Sequence, residues 1–251
     1  MSGSFDDNGQ LVIADGRILV YAGKKKSGKS VLALLMFRSY PYDKIVIDVN
    51  GDDGPNREDT IMLSGTAADL PRTLRRPMGR KGPVTWLYVP DPGSPTLNQD
   101  LDAVVGLALK HGKTHGHCAL LIHETGVQAP VHQCQPNMRR ALMHNRHNGL
   151  TMMLCMPRTL EVETLIIHQA DVVYVFDLPN FADRKKIANT IGMKVDDFED
   201  AWEGLGPHEY LRYDANEPKP VDGEKDFRLV HYPALPLEVV NGVNRWANKT
   251  Q

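Results

Sequence analysis

The stretch Ile18-Leu-Val-Tyr-Ala-Gly23-Lys-Lys-Lys-Ser-Gly28-Lys29-Ser30 sets an apolar run, a glycine-bounded basic turn and a helix-prone segment in direct succession. It satisfies Gly-x-x-x-x-Gly-Lys-[Ser/Thr] in the strand-then-helix context that this pattern requires. The glycines let the backbone curl until successive N–H groups point at one anion, and the N-terminus of the following helix adds its dipole. The candidate nucleotide-binding residues are Gly23, Lys24, Lys25, Lys26, Ser27, Gly28, Lys29, Ser30 and Val31. In this reading ATP is the nucleotide, Lys29 reaches its β- and γ-phosphates, and the Ser30 hydroxyl holds Mg²⁺.

Outward from that loop, five-residue apolar runs recur at Ile18–Ala22, Ile45–Val49, Thr85–Val89, Cys118–Ile122, Thr151–Cys155 and Val172–Phe176. Short runs without alternation are the pattern of strands buried on both faces. Helical stretches at Ser30–Tyr40, Asn98–His111, Asn137–Asn145 and Phe181–Thr190 lie between or after them. The alternation predicts an α/β fold with a mostly parallel central sheet flanked by helices. Gly51–Lys81, rich in Gly, Pro, Asp and then Arg, reads as long connections with one short helix. Beyond Gly192 the rhythm changes to an acidic helix at Val195–Glu203, strands at His208–Tyr213 and Phe227–Tyr232, and a helix from Pro236. The expected division is a core over 1–192 and a small α+β annex over 193–251 packed on it.

The chain has 251 residues, 41% of them hydrophobic, and a formal net charge of −2. That supports one generous core and excludes a uniformly basic nucleic-acid coat, although a ring or cleft can be locally basic. No run approaches 18 apolar residues and the N-terminus is polar, so membrane-spanning and secreted readings are disfavoured and a cytoplasmic location is expected. Cys118, Cys134 and Cys155 are scattered, outside any Cys-x-x-Cys pair, and fit a reducing compartment. His111, His115 and His117 lack a matching cysteine or acid spacing and read as exposed or loop histidines rather than metal ligands.

Hydrolysis needs a carboxylate that positions water. The run Cys118-Ala-Leu-Leu-Ile-His123-Glu124 ends an apolar strand in an acid, expected on a strand adjacent to the phosphate loop, and makes Glu124 the candidate base. His123 stands where a magnesium-shell Asp is usual, which leaves Ser30, phosphate oxygens and water to hold Mg²⁺, with Asp48 or Asp91 as supplementary candidates.

The segments Arg146-His-Asn-Gly149-Leu-Thr-Met-Met-Leu-Cys-Met-Pro157-Arg158 and Gln169-Ala-Asp171-Val-Val-Tyr-Val-Phe176-Asp-Leu178 carry a family likeness. Together with the loop they resemble the FtsK/HerA superfamily of ring-forming, DNA-pumping ATPases, over about residues 17–192. An Arg-x-x-Gly segment enters a strand there, and a Gln-Ala-Asp precedes the next strand. The resemblance implies a P-loop NTPase fold of the additional-strand, RecA/FtsK-like kind. It also implies that Arg146 acts across a subunit interface on the neighbour's γ-phosphate, with Arg139, Arg140 and Arg158 as rivals. The family's strand-ending Gln, usually within Thr-Gln-x-Pro, is replaced by Cys155-Met156-Pro157-Arg158, and Arg158 is the candidate substitute. The compact chain resembles the minimal genome-packaging ATPases of membrane-containing, tectivirus-like viruses.

That resemblance implies a homo-oligomeric ring translocating double-stranded DNA, in the host cytoplasm or associated with a virion, with a capsid vertex or portal protein as a further partner. DNA contact is expected from the basic stretch containing Arg72, Arg75, Arg76, Arg80 and Lys81. The competing classes are a membrane-associated phage extrusion ATPase of the zonula-occludens-toxin type, a nucleoside kinase and a nucleotide-dependent structural switch.

Overall fold

The structure, a computed structural model, describes residues 4–5, 11–12, 15–51, 55, 60–74, 79, 81–218 and 228–246. Its strands are β1 (Ser4–Phe5), β2 (Leu11–Val12), β3 (Ile18–Ala22), β4 (Asp43–Asp48), β5 (Ile61–Leu63), β6 (Thr85–Tyr88), β7 (Cys118–His123), β8 (Leu150–Met156), β9 (Val172–Val175), β10 (Tyr210–Asp214) and β11 (Leu229–Tyr232). Its helices are α1 (Lys29–Ser39), α2 (Leu70–Thr73), α3 (Leu97–His115), α4 (Pro136–His144), α5 (Thr164–His168), α6 (Phe181–Ile191), α7 (Val195–Glu203) and α8 (Leu237–Trp246). Nine strands form one sheet in the order β11-β10-β9-β3-β8-β7-β4-β6-β5, and β1 and β2 form a separate pair. Pairings from β9 through to β5 are parallel, whereas β10 runs antiparallel to β9 and β11 antiparallel to β10.

The six apolar runs become the six central strands because both faces of the sheet are covered. Ile18, Val20 and Ala22 point into a core with the buried faces of α3, α4, α5, α6 and α7, while Leu19 and Tyr21 point into a second core with α1 and Val243 of α8. On that second face the rings of Tyr21 and Tyr174 stack at 4.9 Å, Phe176 meets Tyr210 at 5.0 Å and Tyr210 stacks on Tyr232 at 5.5 Å. This aromatic ladder runs from β3 to β11. It ties residues beyond Gly192 to the phosphate-loop strand in addition to the β9–β10 hydrogen bonds.

Several sequence expectations change. The connection over 51–81 contains strand β5 as well as the short helix α2, and α5 lies in a segment with no helical expectation. The third helix continues through His115 to a positive-φ Gly116. His111 is therefore a buried helical residue, with Nε2 2.9 Å from Asp43 Oδ2, not an exposed or loop histidine. Its partner lies on β4, too distant in sequence for local spacing to reveal.

Candidate nucleotide site

The turn between β3 and α1 is fastened at both ends of its entry. The Gly23 amide donates to Met156 O (3.2 Å) at the end of β8, and the Lys24 amide donates to Asp177 O (2.8 Å) just past β9. A Cβ on Gly23 would lie 2.7 Å from both Phe176 Cβ and Ser27 Oγ, so only glycine fits there. Gly28 precedes α1 with φ +102°, a left-handed conformation that a side chain would strain. No side chain caps α1 and no acid occupies its first turn, which leaves that helix end electrostatically open to an anion. Lys29 is buried at this end, and Val31 completes the first turn, its amide donating to Gly28 O at 3.0 Å. Ser27 Oγ is buried without a hydrogen-bond partner among the described residues. An orphaned hydroxyl inside a cradle of this kind fits a phosphate oxygen as its partner.

Three lysines fill the turn in different ways. Lys24 Nζ pairs with Asp177 Oδ2 at 2.5 Å, straddling loop and sheet, while Lys25 and Lys26 are exposed.

Glu124 follows β7 at the same edge of the sheet, half-buried and held at φ +60°. A non-glycine residue there is a local strain of the sort that accumulates at functional sites. Asn50, just past β4, donates Nδ2 to Glu124 Oε1 at 3.4 Å. Strand β7 is not adjacent to β3, contrary to the sequence expectation. Strand β8 lies between them, which puts Glu124 about 10 Å along the sheet from the loop strand at ~4.8 Å per strand. Just past Glu124, Thr125 Oγ1 and both amide atoms of Gln128 are buried without partners among the described residues.

His123 pairs in register with Asp48, and both are buried. Asp48 Oδ1 accepts the Gly51 amide at 3.1 Å, one strand farther from the loop than Glu124. Asp91, past β6, lies a further strand out and accepts the Gly93 amide at 2.9 Å, so the structure does not bring it to the loop. Among the described residues no group of three or more His, Cys, Asp or Glu side chains could hold a metal. Ser30, in the first turn of α1, remains the hydroxyl beside the cradle, and an oxygen donor of this kind suits Mg²⁺ shared with phosphate.

Arg146 sits at the opposite edge. It opens a short 3-10 turn, Arg146–Asn148, ahead of β8, whose seven residues separate it from the loop edge by about 20 Å. Its side chain is 66% exposed and its guanidinium pairs with the buried carboxylate of Asp171. The second Asp171 oxygen accepts the Ile18 amide at 2.8 Å. Arg-x-x-Gly and Gln-Ala-Asp, read as separate signatures, are thus two halves of one contact. Arg139 and Arg140 are exposed on α4, while Arg158 lies at the loop edge, 3.8 Å from Glu161.

Of the basic stretch, Arg72 is exposed on α2, and Lys81 is exposed where the chain approaches the start of β6. Arg75, Arg76 and Arg80 lie outside the described residues. No described helix is long and apolar enough to cross a membrane. Sequence alone does not single out Asn50, Phe176 or Asp177: the last two end the Gln-Ala-Asp strand, and nothing local marks them as walls of the loop.

Strand order, loop and acid together define a P-loop NTPase fold of the additional-strand type. Comparison with solved structures gives the same architecture. The genome packaging NTPase B204 from Sulfolobus turreted icosahedral virus 2 in complex with ATP-gammaS matches with a TM-score of 0.66 and 21% identity, over 88% of this chain and 98% of that one. Its complex with AMPPCP gives 0.65, 20%, 88% and 99%. B204, the DNA-packaging ATPase from Sulfolobus Turreted Icosahedral Virus, gives 0.61, 19%, 88% and 98%. No family model matches the chain, and no curated protein matches it.

Proposed function

We propose that this chain is an ATP-driven translocase of double-stranded DNA, a viral genome-packaging ATPase that works as a homo-oligomeric ring. The observation that carries the reading is the division of labour between the two sheet edges. An anion cradle and a strained, Asn-held carboxylate share one edge, and an exposed arginine locked by Asp171 stands at the other. An arginine some 20 Å from its own loop can meet a γ-phosphate only on a neighbouring subunit, which is the arrangement a ring provides. The likeness to B204, described as a genome packaging NTPase, supports the choice of cargo.

In this mechanism the loop amides and Lys29 hold the β- and γ-phosphates, and the dipole of α1 adds positive potential. Glu124, aimed by Asn50, orients the attacking water and takes its proton. Ser30 would hold Mg²⁺, with Asp48, the in-register neighbour of His123, as a supplementary candidate. The ion would neutralise charge on the β- and γ-oxygens. Arg146 of the neighbouring subunit offsets charge developing on the transferred phosphoryl group with a planar, permanently charged fork. Arg72, Arg75, Arg76, Arg80 and Lys81 track the DNA backbone without reading sequence. Residues 1–192 form the motor core, and the 193–251 annex offers a face to a capsid vertex or portal protein. We place the protein in the host cytoplasm or at an assembling virion.

The direct test is ATP-dependent displacement of a triplex-forming oligonucleotide from long duplex DNA. Displacement that vanishes in Lys29→Ala supports the translocase. Release that is equal without ATP contradicts it.

A further inference from the structure

At the sheet edge opposite the phosphate loop, where the parallel strands β4, β6 and β7 begin, lies an open cleft of about 540 Å³. Its walls are Pro41, Tyr42, Pro83, His115 and His117, with Asp43, the first residue of β4, beside them. Two preformed ring stacks end in this cleft. Tyr42 and His117 lie 23° from parallel with centroids 4.5 Å apart, and His115 lies on His111 at the same angle and 4.2 Å. Each stack has a carboxylate beside it: Asp15 Oδ2 is 3.1 Å from His117 Nδ1, and Asp43 Oδ2 is 2.9 Å from His111 Nε2. Tyr40, whose hydroxyl donates to Asp15 Oδ1 at 2.8 Å, meets Tyr42 edge-on at 5.6 Å and braces it. Tyr42 is nevertheless 42% exposed, and His115 is exposed at the end of α3.

We propose that this cleft takes an unpaired base of DNA by stacking, so that the protein holds single-stranded segments as well as duplex. The inference rests on the DNA-contact part of the proposed function and deepens it. The basic stretch from Arg72 to Lys81 contains no aromatic residue. Its last member, the exposed Lys81, is bonded to Gly82, which lines the cleft together with Pro83. The fold therefore sets exposed rings beside a cation, and that pairing is how single strands are held: charge for the backbone and ring faces for the bases. In a duplex the base faces cover one another, which makes a base in a single-stranded segment, such as a frayed end, the occupant that rings can recognise. Because the rings are stacked and braced beforehand, binding freezes little side-chain freedom. Stacking of this kind tolerates any sequence, since every base has a π-face.

Fluorescence anisotropy separates base from phosphate. A short labelled oligothymidylate, an abasic strand of the same length and a blunt duplex are each titrated with wild type, Tyr42→Ala, Tyr42→Phe and Lys81→Ala. Wild type should bind the oligothymidylate about fivefold or more tighter than the abasic strand, and Tyr42→Ala should lose most of that difference while its abasic and duplex affinities stay within about twofold of wild type. Tyr42→Phe keeps the ring and should bind as wild type does. Lys81→Ala should weaken all three ligands, because it removes a contact to phosphate. Equal wild-type affinity for the two single strands, or equal loss of all three ligands in Tyr42→Ala, refutes the stacking site while wild-type contact with duplex DNA stands. If wild type binds none of the three, the DNA reading itself fails, and the stacking site with it.

Discussion

The Arg146 guanidinium grips one oxygen of the buried Asp171 carboxylate, while the other oxygen takes the amide of Ile18, the first residue of the strand that carries the phosphate loop. The same acid thus aims the arginine and registers the loop strand. Disturbing this contact from its two ends should have different consequences.

Arg146→Ala opens the Asp171 carboxylate to water while leaving it the Ile18 amide, and should cost less stability than removing the acid itself. It should nevertheless lower ATP turnover by about 10³-fold or more if the arginine acts on a neighbour. Mixing with Lys29→Ala subunits, whose arginine is intact, should restore part of the rate; no recovery at any ratio contradicts action in trans. Asp171→Ala leaves the Ile18 amide without its acceptor inside the fold, and should cost about 1–3 kcal/mol in urea titration. Equal destabilisation by both variants would mean that Arg146 is a structural cation.

Glu124→Gln keeps the shape of the side chain and its contact with Asn50 but cannot accept a proton. ATP should bind with wild-type affinity while single-turnover hydrolysis falls by about 10²–10⁴-fold. Asn50→Ala should lower turnover less, because it loosens the carboxylate without removing it. An unimpaired Glu124→Gln enzyme would take this residue out of the mechanism.

The three cysteines are free. Burial pushes the Cys118 thiol well up, and burial, opposed by Arg139, leaves Cys134 at about 11. Thiolate is the reactive form, so both should react with a disulfide reagent at pH 8 far more slowly than a free thiol. Labelling followed by mass spectrometry should find these two largely unmodified in native protein and modified after denaturation. Rapid native labelling of Cys134 would contradict the burial seen here.

Glu209 is held below the usual carboxylate range, first by the Gly206 amide and then by His231, whose Nε2 lies 2.7 Å away. A depressed folded-state value means that the stabilisation is complete above the unfolded value near about 4.3 and is lost as pH falls through the folded one. The difference in melting temperature between wild type and Glu209→Gln should therefore shrink as pH drops below about 4. A difference that does not change with pH would show that the carboxylate contributes no titrating contact to the turn before β10.

The central strands were legible because parallel strands covered on both faces must be apolar at every position, and the loop was legible because phosphate binding constrains several adjacent residues at once. What sequence did not carry is lateral. Nothing in Leu150–Met156 says that it inserts between Ile18–Ala22 and Cys118–His123, since strand order is set by how helices cross the sheet. The Asp43–His111 and Arg146–Asp171 pairs join residues 68 and 25 positions apart. Strands β10 and β11 were visible as strands, but the attachment of β10 to β9 goes with Tyr174, Phe176 and Tyr210 meeting in space.

The central claim is that ATP hydrolysis here is coupled to duplex DNA. Steady-state ATP hydrolysis, measured with and without long double-stranded DNA and with Lys29→Ala as the blank, tests it most directly. The expected result is stimulation by DNA of any sequence, lost as salt rises from about 50 to 200 mM because the contacts are to phosphates. Hydrolysis that is indifferent to DNA at every salt concentration, or ATP bound with no turnover in its presence, would contradict the motor.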